Sequence, residues 1–369
     1  MGAELRAVAR LGCVLVLAAC GSVTSNPAVS DAGSDGGADA ESGADAGSDG
    51  GVDAMSDAGI DASNPDGGTP SPPLSCSALP STCGSAHNVS CCDNPAVPGG
   101  MYFRGYDVAG DPDSGTMSDP ATISGFHLDR FEVTVGRFRA FVVAGLGTQT
   151  NPPAASAGAH KNVPGSGWDV SWNASLTPRL AALIAAVKCS SLQTWTDDVA
   201  NNERRPMNCV TWYEAMAFCV WDGGYLPTEA EWNYAATGGS DQRAYPWSSP
   251  ANSTMLDGAH ASYLDGPDCI GDGAPGCTVS DLVEAGSKPL GDGKWGHSEL
   301  AGNVSEWVLD WIDNYPANCV DCANLAPGSS RVTRGGAFDD PSDDARTAFR
   351  IGIPPATRSP TLGFRCARP

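Results

Sequence analysis

The cysteines constrain this chain more than any other feature. Of 14 cysteines, Cys13 and Cys20 stand in an N-terminal apolar run, and the other twelve lie between Cys76 and Cys366. An even set of this size in an exported chain reads as a disulfide framework, which can hold loops in place of regular elements. Zinc is the competing reading. Cys319-x-x-Cys322 has metal-ligand spacing, yet no second CxxC or close histidine pair accompanies it. Its surroundings, YPANCVDCANLAPG, are turn-rich, whereas a redox pair favours a strand-to-helix setting. A short local disulfide is expected there.

The N-terminus bears on the compartment. MGAELRAVAR carries Arg6 and Arg10, and LGCVLVLAAC is apolar but too short to span a bilayer. Leu17-Ala18-Ala19-Cys20 resembles the lipobox of bacterial lipoproteins. That resemblance implies removal of residues 1–19, acylation of Cys20, and an exported chain whose first partner is a membrane. Gly21 after the cysteine points to the outer membrane of the cell envelope. Residues 20–73 are almost all Gly, Ala, Ser, Asp and Pro, and ten acids fall between Asp31 and Asp66. An EF-hand loop needs D-x-[DN]-x-[DN]-G and a distal Glu, and this stretch has neither. It reads as a flexible, self-repelling tether averaging roughly 40 Å end to end. The net charge of −22 argues against non-specific nucleic-acid binding.

Residues 74–96 form a cysteine-dense lead-in, and the main domain is placed at 97–369. VPGGMYFRGY, Val97 to Tyr106, reads as a strand after a Pro-Gly turn. In VTVGRFRAFVVAG, Thr134 can cap a helix with Phe138, Phe141 and Val142 on one face. In TPRLAALIAAVKC, Thr177 is the expected cap of another. Thr211 with Glu214, and Thr228 with Glu231, are capping boxes, each side chain satisfying a free backbone N–H of the other. Beyond Gly238 turns and short strands dominate. The fold class is irregular α+β, with no Gly-rich phosphate loop. His87, His127, His160, His260 and His297 form no HxxxH, HExxH or triad pattern, and each reads as structural or exposed.

Several stretches then occur in a telling order: FHLDRFEVTVGRFRAFV, PMNCVTWYEAMAFCVWDGGYLPTEAEWNYAA, YPWS, ELAGNVSEWVLDW, RVTRGGAF and LGFRCAR. Across residues 97–369 the chain resembles the formylglycine-generating enzyme, or sulfatase-modifying factor, family. The resemblance implies a fold related to C-type lectins, with few helices, short antiparallel strands, long loops and bound calcium. Authentic members oxidise the cysteine of a sulfatase Cys-X-Pro-X-Arg motif, using two thiolates on Cu(I) placed after R-x-x-x-G-G. Here that segment is AFDDPSDDARTAFR. The first copper cysteine falls at Asp340 and the second at Ala345 or Arg346, while Ala337 replaces the neighbouring serine. Carboxylates are hard ligands and do not replace a thiolate pair for a soft ion. Copper is therefore not expected, and no catalytic residue is assigned. Ala236 also stands where a further family cysteine often lies. The fold's long-range bridge is implied between Cys219 and Cys366.

For calcium, the resemblance implies side-chain oxygens from Glu299 and Glu306 and carbonyls from Gly302 and Val304, hard donors on a tight turn. A second family site would involve Ser262 and Tyr263, but Cys269 to Cys277 departs from the pattern. The acidic segment itself holds Asp339, Asp340, Asp343 and Asp344. Three readings stand: a new hard-metal site, a recognition surface for a basic or sugar ligand, or a solvated loop paired with Arg334, Arg346 or Arg350. Such surface pairs are worth little. The expected function is a non-catalytic, calcium-stabilised binding module for a peptide, protein or glycan, the glycan and peptide classes resting on fold analogy. The alternative is a divergent sulfatase-modifying enzyme or oxidase using other residues.

Overall fold

The computed structural model describes residues 73–76, 82–110 and 116–369. The expected signal peptide and Cys20, and the expected tether up to residue 72, lie outside them. Four α-helices and five small sheets carry the described chain.

The helices form where local chemistry supports them. In α1 (Val135–Val143) the Thr134 hydroxyl accepts from Arg137 N, and Phe138, Phe141 and Val142 face the core. Both capping boxes are made, at α3 (Trp212–Trp221) and α4 (Glu229–Thr237), and Gly238 ends α4 in the left-handed region. Two local expectations need correction. Helix α2 (Leu180–Ala186) is preceded by Arg179 as N-cap, not Thr177. Thr177 is drawn away by a bridge to Thr148, and its carbonyl accepts from Gln149 N at 2.9 Å. The strand expected from Val97 to Tyr106 is split. Ala96–Val97 pairs with Phe126–Leu128 in one sheet, and Gly100–Phe103 pairs with Pro120–Ile123 in another. The break falls at Pro98-Gly99, where a Cβ on Gly99 would lie 2.5 Å from Ile123 O.

The central sheet has four strands, ordered Arg350–Ile353, Arg331–Arg334, Ser305–Trp311, Leu362–Gly363. Ser305–Trp311 is buried at six of its seven positions and packs on α3 and α4. Around it Phe138, Trp212, Phe218, Trp307 and Phe364 build the largest apolar core.

Six disulfides take up all twelve described cysteines: 76–92, 83–91, 189–209, 219–366, 269–277 and 319–322. The local 319–322 bridge and the long-range 219–366 bridge both form as expected. Cys219–Cys366 spans 147 residues and joins α3 to the C-terminus. Chain entropy assigns a loop of that length about 5 kcal/mol of stabilisation. No helix among the described residues is long and apolar enough to cross a membrane.

Candidate functional site

The acidic segment follows the sheet strand Arg331–Arg334. Gly335 and Gly336 take positive φ, and a Cβ on Gly336 would stand 2.8 Å from Asp344 O, so the chain doubles back tightly. Phe338 N donates to Asn303 O at 2.9 Å, Asp340 Oδ2 accepts from Ala337 N at 3.0 Å, and Asp340 O accepts from Leu264 N at 2.9 Å. A short 3-10 turn, Ser342–Ala345, completes the segment. Ala345 is buried against Tyr245 and Ala301.

The four aspartates are held differently. Asp343 is 73% exposed and lies 3.4 Å from Arg346, which makes its closer pair, 2.6 Å, with buried Asp107. Asp339 keeps one buried carboxyl oxygen without a hydrogen bond, and burial raises its pKa. Arg334 and Arg350 reach Glu229 at 2.6 and 2.8 Å, and Arg334 also donates to the Thr347, Ala348 and Phe349 carbonyls later in the segment. Of the three arginines expected beside the aspartates, Arg346 pairs with Asp343, and Glu229 at the head of α4 takes the other two. Among the described residues, no three His, Cys, Asp or Glu side chains converge on a metal-sized point. The hard-metal reading of the aspartates therefore lacks its geometry.

Beside the segment runs an aromatic row that was not expected. Tyr245 stacks on Trp247 with ring centres 5.1 Å apart, and His260 follows at 5.2 Å. Tyr245 donates to Ser342 O at 3.0 Å, and burial pushes its hydroxyl up to about 12. His260 is not isolated, since Asp257 sits 2.7 Å from its Nδ1. The signal was the aspartate three residues earlier in the chain. His160 likewise meets Glu231 at 3.1 Å. His297 is buried, and burial holds its pKa down to about 3, so it stays neutral.

The loop from Glu299 to Glu306 is built on positive φ at Glu299, Gly302 and Asn303. Gly302 is required: a Cβ there would lie 2.1 Å from Ser262 O. The Glu299 carboxylate accepts from Gly286 N at 2.9 and 3.0 Å. Glu306 places both oxygens on Arg365, each at 2.7 Å, and takes Trp232 Nε1 at 2.8 Å. Glu306 is thus engaged by Arg365 and Trp232, as Glu299 is by Gly286. Sequence reasoning missed Glu132. Its oxygens accept from Asn303 Nδ2 at 2.6 Å and Val304 N at 3.1 Å, so it caps the loop from below.

Three buried glutamates, Glu132, Glu299 and Glu306, therefore act on one another and on one guanidinium, Arg365. Burial, with Glu299 and Glu306 adding repulsion, raises Glu132 well above the carboxylate range. Burial lifts Glu299 to about 7. Surplus buried negative charge attracts a cation, although these three carboxylates do not converge on one metal-sized point either.

A second buried cluster is balanced. Arg137 bridges Asp129 at 2.8 Å and Asp222 at 2.7 Å, and Arg368 meets the same two carboxylates. Ser75 joins it through its N–H to Asp222, tying the cysteine-rich lead-in to the core.

A family model described as the sulfatase-modifying factor enzyme 1-like domain matches residues 82–369. The formylglycine-generating enzyme of Thermomonospora curvata is 30% identical over 74% of this chain and 92% of its own length. That of Streptomyces coelicolor is 32% identical over 73% of this chain and 87% of its own. A mouse protein named inactive C-alpha-formylglycine-generating enzyme 2 is 28% identical over 73% of this chain and 84% of its own.

Proposed function

The chain belongs to the sulfatase-modifying factor family, and from that premise we propose that it is a non-catalytic member, a calcium-stabilised recognition module. The observation that carries this reading is the state of sulfur. All twelve described cysteines are in disulfides, and the resemblance puts Asp340, and Ala345 or Arg346, where the copper thiolates would stand. A soft Cu(I) ion has no thiolate pair to bind there. The mouse relative named inactive shows that the domain also occurs under that description.

In this reading calcium is held by Glu299, by the Gly302 and Val304 carbonyls and by Glu132, with Glu306 held beside it by Arg365. Its contribution is positive charge that lets the buried carboxylates stay ionised. The recognition face is the exposed part of the acidic segment with the aromatic row, which suits a basic peptide, a basic protein surface or a glycan. The acylated Cys20 and the tether display the module from the outer membrane.

The test uses the purified protein supplied with Cu(I) in air and a Cys-X-Pro-X-Arg peptide, followed by mass spectrometry beside an active family enzyme. The peptide is expected to keep its thiol. Conversion to the aldehyde overturns the proposal. A divergent enzyme is the second reading, and Asp339 is what favours it, since a half-buried carboxyl with a raised pKa can serve as an acid. Any turnover lost in Asp339→Asn would establish it.

A further inference from the structure

The family resemblance places a second calcium site at Ser262 and Tyr263, and the residues there do not fit one. Ser262 Oγ is committed to Asp281 O at 2.6 Å, and the Tyr263 carbonyl accepts from Ile270 N at 3.0 Å. The Asp281 carboxylate accepts from Asp272 N at 3.2 Å and Thr278 N at 2.8 Å. The backbone there is packed to contact. A Cβ on Gly271 would lie 2.3 Å from Asp281 O, and one on Gly291 only 1.9 Å from His260 O.

A different cation reaches this place. Lys288 precedes the turn Pro289–Gly291, and its Nζ donates to Gly258 O at 2.5 Å and to Gly271 O at 2.8 Å. Glu299, Asp281, Asp257 and Asp272 all act on it as neighbouring negative charges. Two backbone carbonyls with carboxylate charge nearby make a donor set too small for a hard divalent ion, which takes six to eight oxygens. An ammonium meets it with one charge and three donors, and needs neither six to eight ligands nor retained water.

We infer that the Lys288 ammonium is the resident cation of the 257–281 loop, joining Gly258 to Gly271 and closing that loop without metal. Glu299 is shared with the proposed calcium site, but the two carbonyl contacts of Lys288 do not depend on that site. Three acids of the loop, Asp257, Asp272 and Asp281, then act together on this one charge.

Hydrogen exchange of the whole protein, read over residues 257–281, tests this in EDTA and in calcium. Wild type and Lys288→Arg are expected to keep the loop protected in EDTA. Lys288→Met is expected to exchange there faster, on the order of tenfold, with α3 and α4 unchanged. Loss of wild-type protection over 257–281 in EDTA overturns the inference, because the loop would then need metal. So does a Lys288→Met loop that exchanges like wild type. If Lys288→Met unfolds globally, the wild-type comparison with and without EDTA decides alone. Failure of the calcium site at Glu299 appears elsewhere, as protection of residues 299–306 that calcium does not change.

Discussion

Two of the buried charge clusters among the described residues are built to different ratios. One sets Asp129 and Asp222 against Arg137 and Arg368. The other sets Glu132, Glu299 and Glu306 against Arg365. In the first, burial alone would raise Asp129, but Arg137 and Arg368 outweigh it and hold the carboxyl below its ordinary range. In the second, one guanidinium is shared by three carboxylates, and burial prevails for Glu132 and Glu299. Depth is the same in both clusters. The count of cations decides whether a buried carboxylate stays charged, and the cluster that is short of cations is the one that attracts another.

The comparison breaks most sharply at the balanced ring. Asp222→Ala leaves two buried arginines sharing one carboxylate and frees Ser75 N, so a loss of about 3–5 kcal/mol is expected in chemical denaturation. A loss near that of an exposed pair would mean the ring is not a unit.

The unbalanced cluster separates from it by pH. Glu299 has a folded pKa near 7, above its unfolded value, so its contribution is full below about pH 4 and is lost as pH rises through 7. In EDTA the stability is expected to fall over that window, by about 3 kcal/mol for Glu299 alone. Excess calcium, which favours the ionised form, is expected to flatten the fall. Asp129 has the opposite sign: its contribution is present above the unfolded value and is lost only in stronger acid, as pH falls through its depressed pKa. Denaturation midpoints at pH 5 and pH 8, with and without calcium, check the Glu299 half, and midpoints taken below about pH 4 check the Asp129 half. A flat profile in EDTA would remove the surplus-charge account.

The smallest effect belongs to the rim. Asp343 is mostly exposed and 3.4 Å from Arg346, so Asp343→Asn is expected to shift stability by no more than about 0.5 kcal/mol. If the same variant weakens a basic ligand while stability holds, the acidic face is sharpened as a surface for recognition.

Legibility tracked the distance between interacting residues. Both capping boxes were readable because Thr and Glu stand three positions apart and satisfy each other. Thr177 looked like a cap by the same rule, but Thr148, distant in sequence, claimed its backbone first. Glu132 was missed because its partners, Asn303 and Val304, lie about 170 residues away. Its one local sign was a glutamate between Phe131 and Val133, both buried. The aromatic row was quoted as the motif YPWS, yet nothing in those letters placed His260 on the face of Trp247.

The sequence by itself determined the class of fold, the family, and the absence of cysteine from the segment after Gly336, because those depend on which residue types stand in which order. It also determined the local helix starts, which close over a few residues. Tertiary structure alone decided which carboxylates share which cation. The balance at Asp129, the surplus at Glu299 and the closure by Lys288 depend on chain segments brought within about 3 Å from far apart, where burial makes each charge count.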